Sequence, residues 1–344
     1  MENTRQHNQR ILYLDLTKAF AIFCVILGHV IQLTSVEDPY HDSLLFQFIY
    51  AYHMPLFMMV SGFFLGKSLQ QPFGQFFHKR FIQLIVPILT FGSLFFLFRN
   101  TLYCYVTDAR PVSLMSVFTG NDMWFLRYLF GLLMIAYISK RIFKNTLVTA
   151  LLPMVLLFSL TRSGIFRLYP YLWAGYCFAA YNESLMLKGK RNMLISMAVF
   201  VVSLCFWKGD YDASFRFVYF SPTLRFDMEH AFYVFVRLMV GLSGSLTFLF
   251  LFRYLSVAMP LNKFTAYASE VGRHTLGIYC VQVYLLEFGL GHLKPQFEQV
   301  DNVVFHVLFA VILLVVFNFI VACLERNRWT ALLFLEREKA FAKV

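Results

Sequence analysis

Residues 14–33 read LDLTKAFAIFCVILGHVIQL, an apolar run interrupted by three ionisable side chains, Asp15, Lys18 and His29. Lys18 and His29 are eleven residues apart. At about 100° per residue in a helix this is within roughly 20° of three full turns, so both lie on one face, about 16 Å apart along the axis. Asp15, three residues before Lys18, shares that face and can neutralise it. A second histidine, His53, opens the stretch HMPLFMMVSGFF (residues 53–64), with Pro55 two residues further on. A hydroxyl is a poor nucleophile at neutral pH, and an imidazole, with an ordinary pKa of about 6.5, can take its proton as the hydroxyl attacks. His29 is the best candidate base. An oxyanion formed in such an attack needs donors or cations, for which His53, Arg127 and Arg237 are the available groups.

The elements that hold these residues are membrane helices. The chain is 59% hydrophobic and 14% charged, with mean hydropathy +0.62, which is too apolar for a soluble domain of 344 residues. Apolar runs of about 20 residues predict ten spans, at 11–34, 43–66, 81–101, 121–139, 145–161, 166–182, 192–207, 229–254, 271–293 and 302–324. The fold expected is an all-α, polytopic helical bundle forming one integral-membrane domain over 1–344, with a short basic tail at 325–344. The first run is long and lacks a small-residue cleavage site, so it is expected to be retained rather than removed as a signal peptide. Counted over alternate loops, Lys and Arg number 19 on the side of the N-terminus and 8 on the other. Both termini are therefore predicted to be cytoplasmic, with the tail beside them.

Three basic residues, Lys18, Arg127 and Arg237, remain inside the spans, where a charge is expensive and faces a bundle interior or a wet cavity. His53 enters from the other side and reaches nearly the depth of His29. Pro55 removes a backbone donor beside it, so residues 52–55 read as the wall of a buried polar pocket. The bland alternative is a kinked packing helix, with Gly62 and Gly66 serving close helix contact. The net charge of +11 is accounted for by inner-leaflet phospholipid, and nucleic-acid binding is excluded as a working reading. The six cysteines are scattered without zinc-ligand spacing, so no metal is expected. No nucleotide-binding glycine loop and no GxSxG elbow is present.

Five segments carry a family resemblance: Lys18-x10-His29, HMPLFMMVSGFF, HKRFIQLIVP (78–87), GNDMWFLRYLF (120–130) and VGRHTLGIYCVQ (271–282). In this order, over almost the whole chain, they resemble acyltransferase family three, the bacterial inner-membrane O-acyltransferases, and especially its sugar O-acetyltransferase-like members. The resemblance implies transfer of an acyl group, usually acetyl, from cytoplasmic acetyl-CoA or another acyl-CoA to a hydroxyl of a cell-surface or lipid-linked glycan. It carries the first-span basic residue and histidine onto Lys18 and His29, although many members have Arg where this chain has Lys18. The tryptophan motif falls on Trp124, followed by Arg127 where members often have an acidic residue. Relatives often have a histidine where Gln282 stands, so that position is not read as catalytic.

The resulting site assigns catalysis to His29, His53 and Arg127, donor binding to Lys18, Asp15 and Arg80, and the acceptor pocket to Trp124, Arg237 and Ser61. Arg127 and Arg237 could instead pair structurally with Glu229 or Glu287, and Arg80 could snorkel to lipid. The aromatic, cationic loop 208–228 offers faces for a glycan. His7, His41, His78, His274, His292 and His306 are read as incidental. Expected partners are acyl-CoA, the glycan acceptor and membrane lipids, with a homo-oligomer left open. The rival reading is a proton-coupled transporter or flippase using the same buried charges.

Overall fold

A computed structural model describes residues 2–34, 43–103, 111, 113–115, 123–160, 167–181, 189–207, 228–259, 262–290 and 302–335; over 2–11, 102–103, 154–160, 228–231 and 287–289, and at 328, 332 and 335, it describes the backbone. Among these residues every regular element is helical. The longer ones are α1 (Glu2–Thr34), α2 (Leu44–Phe63), α4 (Phe73–Arg80), α5 (Val86–Phe98), α6 (Trp124–Ile142), α7 (Thr146–Leu160), α8 (Tyr169–Ala180), α9 (Gly189–Leu204), α10 (Met228–Ala258), α11 (Lys263–Arg273), α12 (Thr275–Gln282), α13 (Val303–Glu325) and α14 (Arg328–Leu335), with the single turn α3 (Leu65–Ser68) after α2. Among the described residues, five stretches are long and apolar enough to cross a membrane: Leu12–Thr34, Leu44–Phe63, Phe73–Thr101, Phe232–Ala258 and Val303–Glu325. Helix also occupies the other five predicted runs, in shorter or less apolar form.

The ninth predicted span, 271–293, is not one uninterrupted helix. Residues 271–273 end α11, the chain breaks at His274, and α12 passes into a π-helical segment, Val283–Leu290. The start of α11 is fixed by a capping box in which the Asn262 side chain accepts from Thr265 N at 2.9 Å and Thr265 Oγ1 accepts from Asn262 N at 2.9 Å. Its buried residues Thr265, Ser269 and Gly272 recur at helical spacing, and that face packs along α1. Hydropathy misses α11 because most of it is polar enough to lie outside any apolar window.

α1 touches α2, α10, α11, α12 and α13, and α2 in turn packs on α1, α8 and α10. A Cβ at Gly62 would meet the Leu172 backbone, and one at Gly175 would meet the Met59 backbone, so α2 and α8 touch main chain to main chain at two points. Small residues allow this close approach where helices associate by packing. Gly62 serves close contact as predicted, whereas Gly66 has ordinary clearance to Tyr176. Pro55 lies inside α2 without ending it, and its ring sits against Gly241 of α10. Of the predicted basic tail, α14 packs on α5 and α13, with Phe334 edge-on to Phe91 at 5.0 Å. The acidic loop with Glu37, Asp38 and Asp42, the loop 208–227, His41, His292, tail residues 336–344, and the side chains of His7, Glu229 and Glu287 lie outside the described residues.

Candidate active site

The Asp15–Lys18 pair forms as the spacing predicts, with Nζ to Oδ1 at 2.8 Å. Asp15 is buried, and its second oxygen accepts from Ser269 Oγ at 3.2 Å, which in turn accepts from Arg273 Nη1 at 3.0 Å. Gly272 sits directly on the Asp15 backbone, leaving no room for a Cβ. The C-terminal end of α11 thus clamps α1 at the ion pair. Arg273 is a residue the sequence reading missed; its signal was its place next to Gly272 within the VGRHTLGIYCVQ segment.

Above this clamp lies a cavity of about 170 Å³ lined by residues of α1, α2, α6, α11 and α12, among them Lys18, Val25, Met54, Ser61, Arg273 and Tyr279. Lys18 and Ser61, assigned separately to donor and acceptor pockets, face the same space. Two cationic side chains, Lys18 and Arg273, stand at one end of it. Neither histidine lines the cavity; of its lining residues, Val25 precedes His29 by one turn of α1 and Met54 follows His53 in α2.

His53 is buried, and its Nδ1 lies 2.8 Å from the carbonyl oxygen of Ile49 one turn earlier. A carbonyl can only accept, so Nδ1 carries the hydrogen and Nε2 is the acceptor of the neutral ring. The Tyr50 ring meets His53 edge-on at 4.7 Å. His29 is half-buried with the Gln32 side chain close by, and both His29 and Arg237 lie within electrostatic range of His53. The Arg237 guanidinium stacks over Trp207 at 5.5 Å, and Trp207 Nε1 donates to the Gln47 carbonyl at 3.2 Å. Tyr171 donates to the Arg237 carbonyl at 3.1 Å, its hydroxyl filling the space a Cβ on Gly241 would need. Tyr171 and Trp207 had no sequence signal, because each is one aromatic among many.

Arg127 is half-buried beside the cavity; its neighbours Leu126 and Leu129 line it. Trp124 packs edge-on to Phe125 and Tyr128, at 6.0 and 5.3 Å. Arg80 is engaged elsewhere, donating to Gln83 Oε1 and Ser68 Oγ at 2.8 Å each and stacking on Phe76. His274 and His306 are buried and bonded rather than incidental. Asn318 donates to Glu270 Oε1 at 3.2 Å, which turns its own carbonyl to His274 Nδ1 at 2.8 Å, while His274 Nε2 lies 3.1 Å from Glu325. His306 Nε2 lies 2.8 Å from Thr34 Oγ1, tying α13 to the end of α1.

A helical bundle with membrane-length spans enclosing buried charges and a cation-lined cavity has the form of an integral-membrane protein with an internal site. The sequence matches the acyltransferase domain of family three over residues 11–324, and the chain belongs to that family and is an acyltransferase. It is 28% identical over 306 residues to nodulation protein NolL of Sinorhizobium fredii (strain NBRC 101917 / NGR234), covering 80% of this chain and 78% of that protein. It is 26% identical over 345 residues to nodulation protein NolL of Mesorhizobium japonicum (strain LMG 29417 / CECT 9101 / MAFF 303099), covering 93% and 88%. No solved structure matches.

Proposed function

We propose that this enzyme transfers an acyl group, acetyl first among the choices, from acyl-CoA on the cytoplasmic side to a hydroxyl of a cell-surface or lipid-linked glycan at the outer face of a bacterial inner membrane. The topology that goes with this is ten spans in a single domain, both termini inside, supported by the 19 to 8 charge split. The observation that carries the reading is continuity along α1: Lys18 and Val25 line one cavity, and His29 follows one turn later.

In this mechanism Lys18, held by Asp15, and Arg273 attract the donor's phosphates, and the acyl arm extends through the cavity toward the histidines. Arg80, tied to Ser68 and Gln83, steadies the adjoining cytoplasmic segment. His29 takes the proton of the acceptor hydroxyl as its oxygen attacks the thioester carbon. His53, in the tautomer fixed by Ile49, offers Nε2 as an acceptor that orients a hydroxyl of the sugar; its role is alignment, since the neutral ring has no second N–H for an oxyanion. Arg237, stacked on Trp207, stabilises the oxyanion. The tetrahedral intermediate collapses, the C–S bond breaks, and the proton held by His29 passes to the departing thiolate, giving the ester and free coenzyme. Arg127, Trp124 and Ser61 shape the pocket wall.

Purified protein should transfer label from acyl-CoA to a sugar hydroxyl, which neither a transporter nor a flippase would do. A reporter fused at the C-terminus should be active only if it works in the cytoplasm, and one inserted near Asp212 only if it works outside. Reversed signals would overturn the topology.

A further inference from the structure

Gln282 is fully buried, and neither its amide nitrogen nor its amide oxygen has a hydrogen-bond partner among the described residues. An amide buried in this way is disfavoured relative to an apolar side chain of the same shape. Its neighbours Cys280, Val281 and Val283 are buried and apolar, so the local core gives no reason for a polar group. Gln282 is also the last residue of α12, where the chain passes into the π-helical segment Val283–Leu290. Such segments are frequent at functional sites.

The register places this amide. Gln282 follows Tyr279 by three residues and Thr275 by seven, and both of those line the cavity. Seven residues return within about 20° of the same face, so Gln282 lies on the face of α12 that lines the cavity, one turn beyond Tyr279 and sealed from the cavity itself. Depth follows from the clamp. Gly272 lies on Asp15, and α11, α12 and the π-helical segment all touch α1. Counted along α12 alone, Gln282 is about 10 Å beyond Thr275, which lines the cavity with Lys18 and Arg273, whereas His29 is about 16 Å beyond Lys18 along α1.

We propose that the Gln282 side chain binds a secondary amide in the pantetheine arm of the acyl-CoA donor, Nε2–H donating to the arm's amide carbonyl and Oε1 accepting its N–H. This rests on the donor reading given above. The arm carries its amides between the phosphates and the thioester, and Gln282 stands between the Lys18–Arg273 end and the histidines. A glutamine has one donor face and one acceptor face, matching one secondary amide at both atoms.

The test uses the full-length protein in detergent, with Gln282→Met and, keeping the amide but one methylene shorter, Gln282→Asn. Donors are acetyl-CoA and a phosphorylated S-acetyl alkanethiol of similar length without amides. Gln282→Met should raise KM for acetyl-CoA by about 10- to 100-fold, the loss of two hydrogen bonds to substrate. It should leave KM for the sugar acceptor and for the amide-free thioester unchanged and keep Tm at or above the wild-type value. Gln282→Asn should fall between, and carries the test should Gln282→Met fail to fold. Unchanged acetyl-CoA KM, a change in acceptor KM instead, or a lower Tm with equal loss on both donors would overturn the assignment while the donor reading stands. Failure of the wild-type protein to bind or use acetyl-CoA would overturn both.

Discussion

The two ends of the α1 stripe are built in opposite ways. At the Lys18 end, Asp15 bonds both Lys18 and Ser269, Arg273 bonds Ser269, and Gly272 lets α11 rest on the α1 backbone. At the other end, His53 is fixed by one bond to Ile49, and Arg237 is held by stacking on Trp207. The first end is an anchor whose charges are largely satisfied within the protein. The second aims an imidazole by one backbone bond and a guanidinium by an aromatic surface.

The comparison breaks first at the reacting end. His53→Ala should reduce turnover by about 100-fold or more, the range for a group that aligns or moves a proton. A loss under threefold in a transfer assay would place His53 among the packing residues. Arg237→Met should cost about 100-fold in kcat, as removal of an oxyanion donor does. Arg237→Lys should recover only part of it, because a lysine keeps the charge but loses the planar stack on Trp207. Equal rates in the Met variant and wild type would remove Arg237 from the chemistry.

At the anchor the largest effect is on folding. Gly272→Val drives a side chain into the Asp15 backbone, and overpacking of this kind costs about 1–3 kcal/mol or more. Its Tm in detergent should drop clearly, whereas Gly74→Ala, whose Cβ meets open space, should leave Tm unchanged. Asp15→Asn should be milder on activity than Lys18→Ala, because it loosens the ammonium without deleting it. A greater activity defect in Asp15→Asn would make the pair purely structural.

Local spacing made much of this legible. Asp15, Lys18 and His29 lie on one helix, so periodicity alone placed them on one face, and hydropathy located helix at each of the ten predicted runs. What sequence could not show is pairing across long separations. His274 meets Asn318 and Glu325, 44 and 51 residues away, and only that contact distinguishes it from a loop histidine. Arg80 has the composition of a phosphate ligand, yet Ser68 and Gln83 engage it. The break at His274 was hidden because α11 is amphipathic and the apolar window began three residues before its end. Gln282, read as non-catalytic, gained meaning from its burial without partners, which no motif encodes.

The central claim is that one stripe binds the donor at Lys18 and performs chemistry at His29. Calorimetry of acetyl-CoA binding, run beside turnover on wild type, Lys18→Ala and His29→Ala, tests it most directly. The account predicts that His29→Ala binds acetyl-CoA nearly as wild type and loses about 10² to 10⁴-fold in turnover, while Lys18→Ala binds more weakly and Lys18→Arg partly restores binding. Unchanged donor affinity in Lys18→Ala, or more than about a tenth of wild-type turnover in His29→Ala, would contradict it.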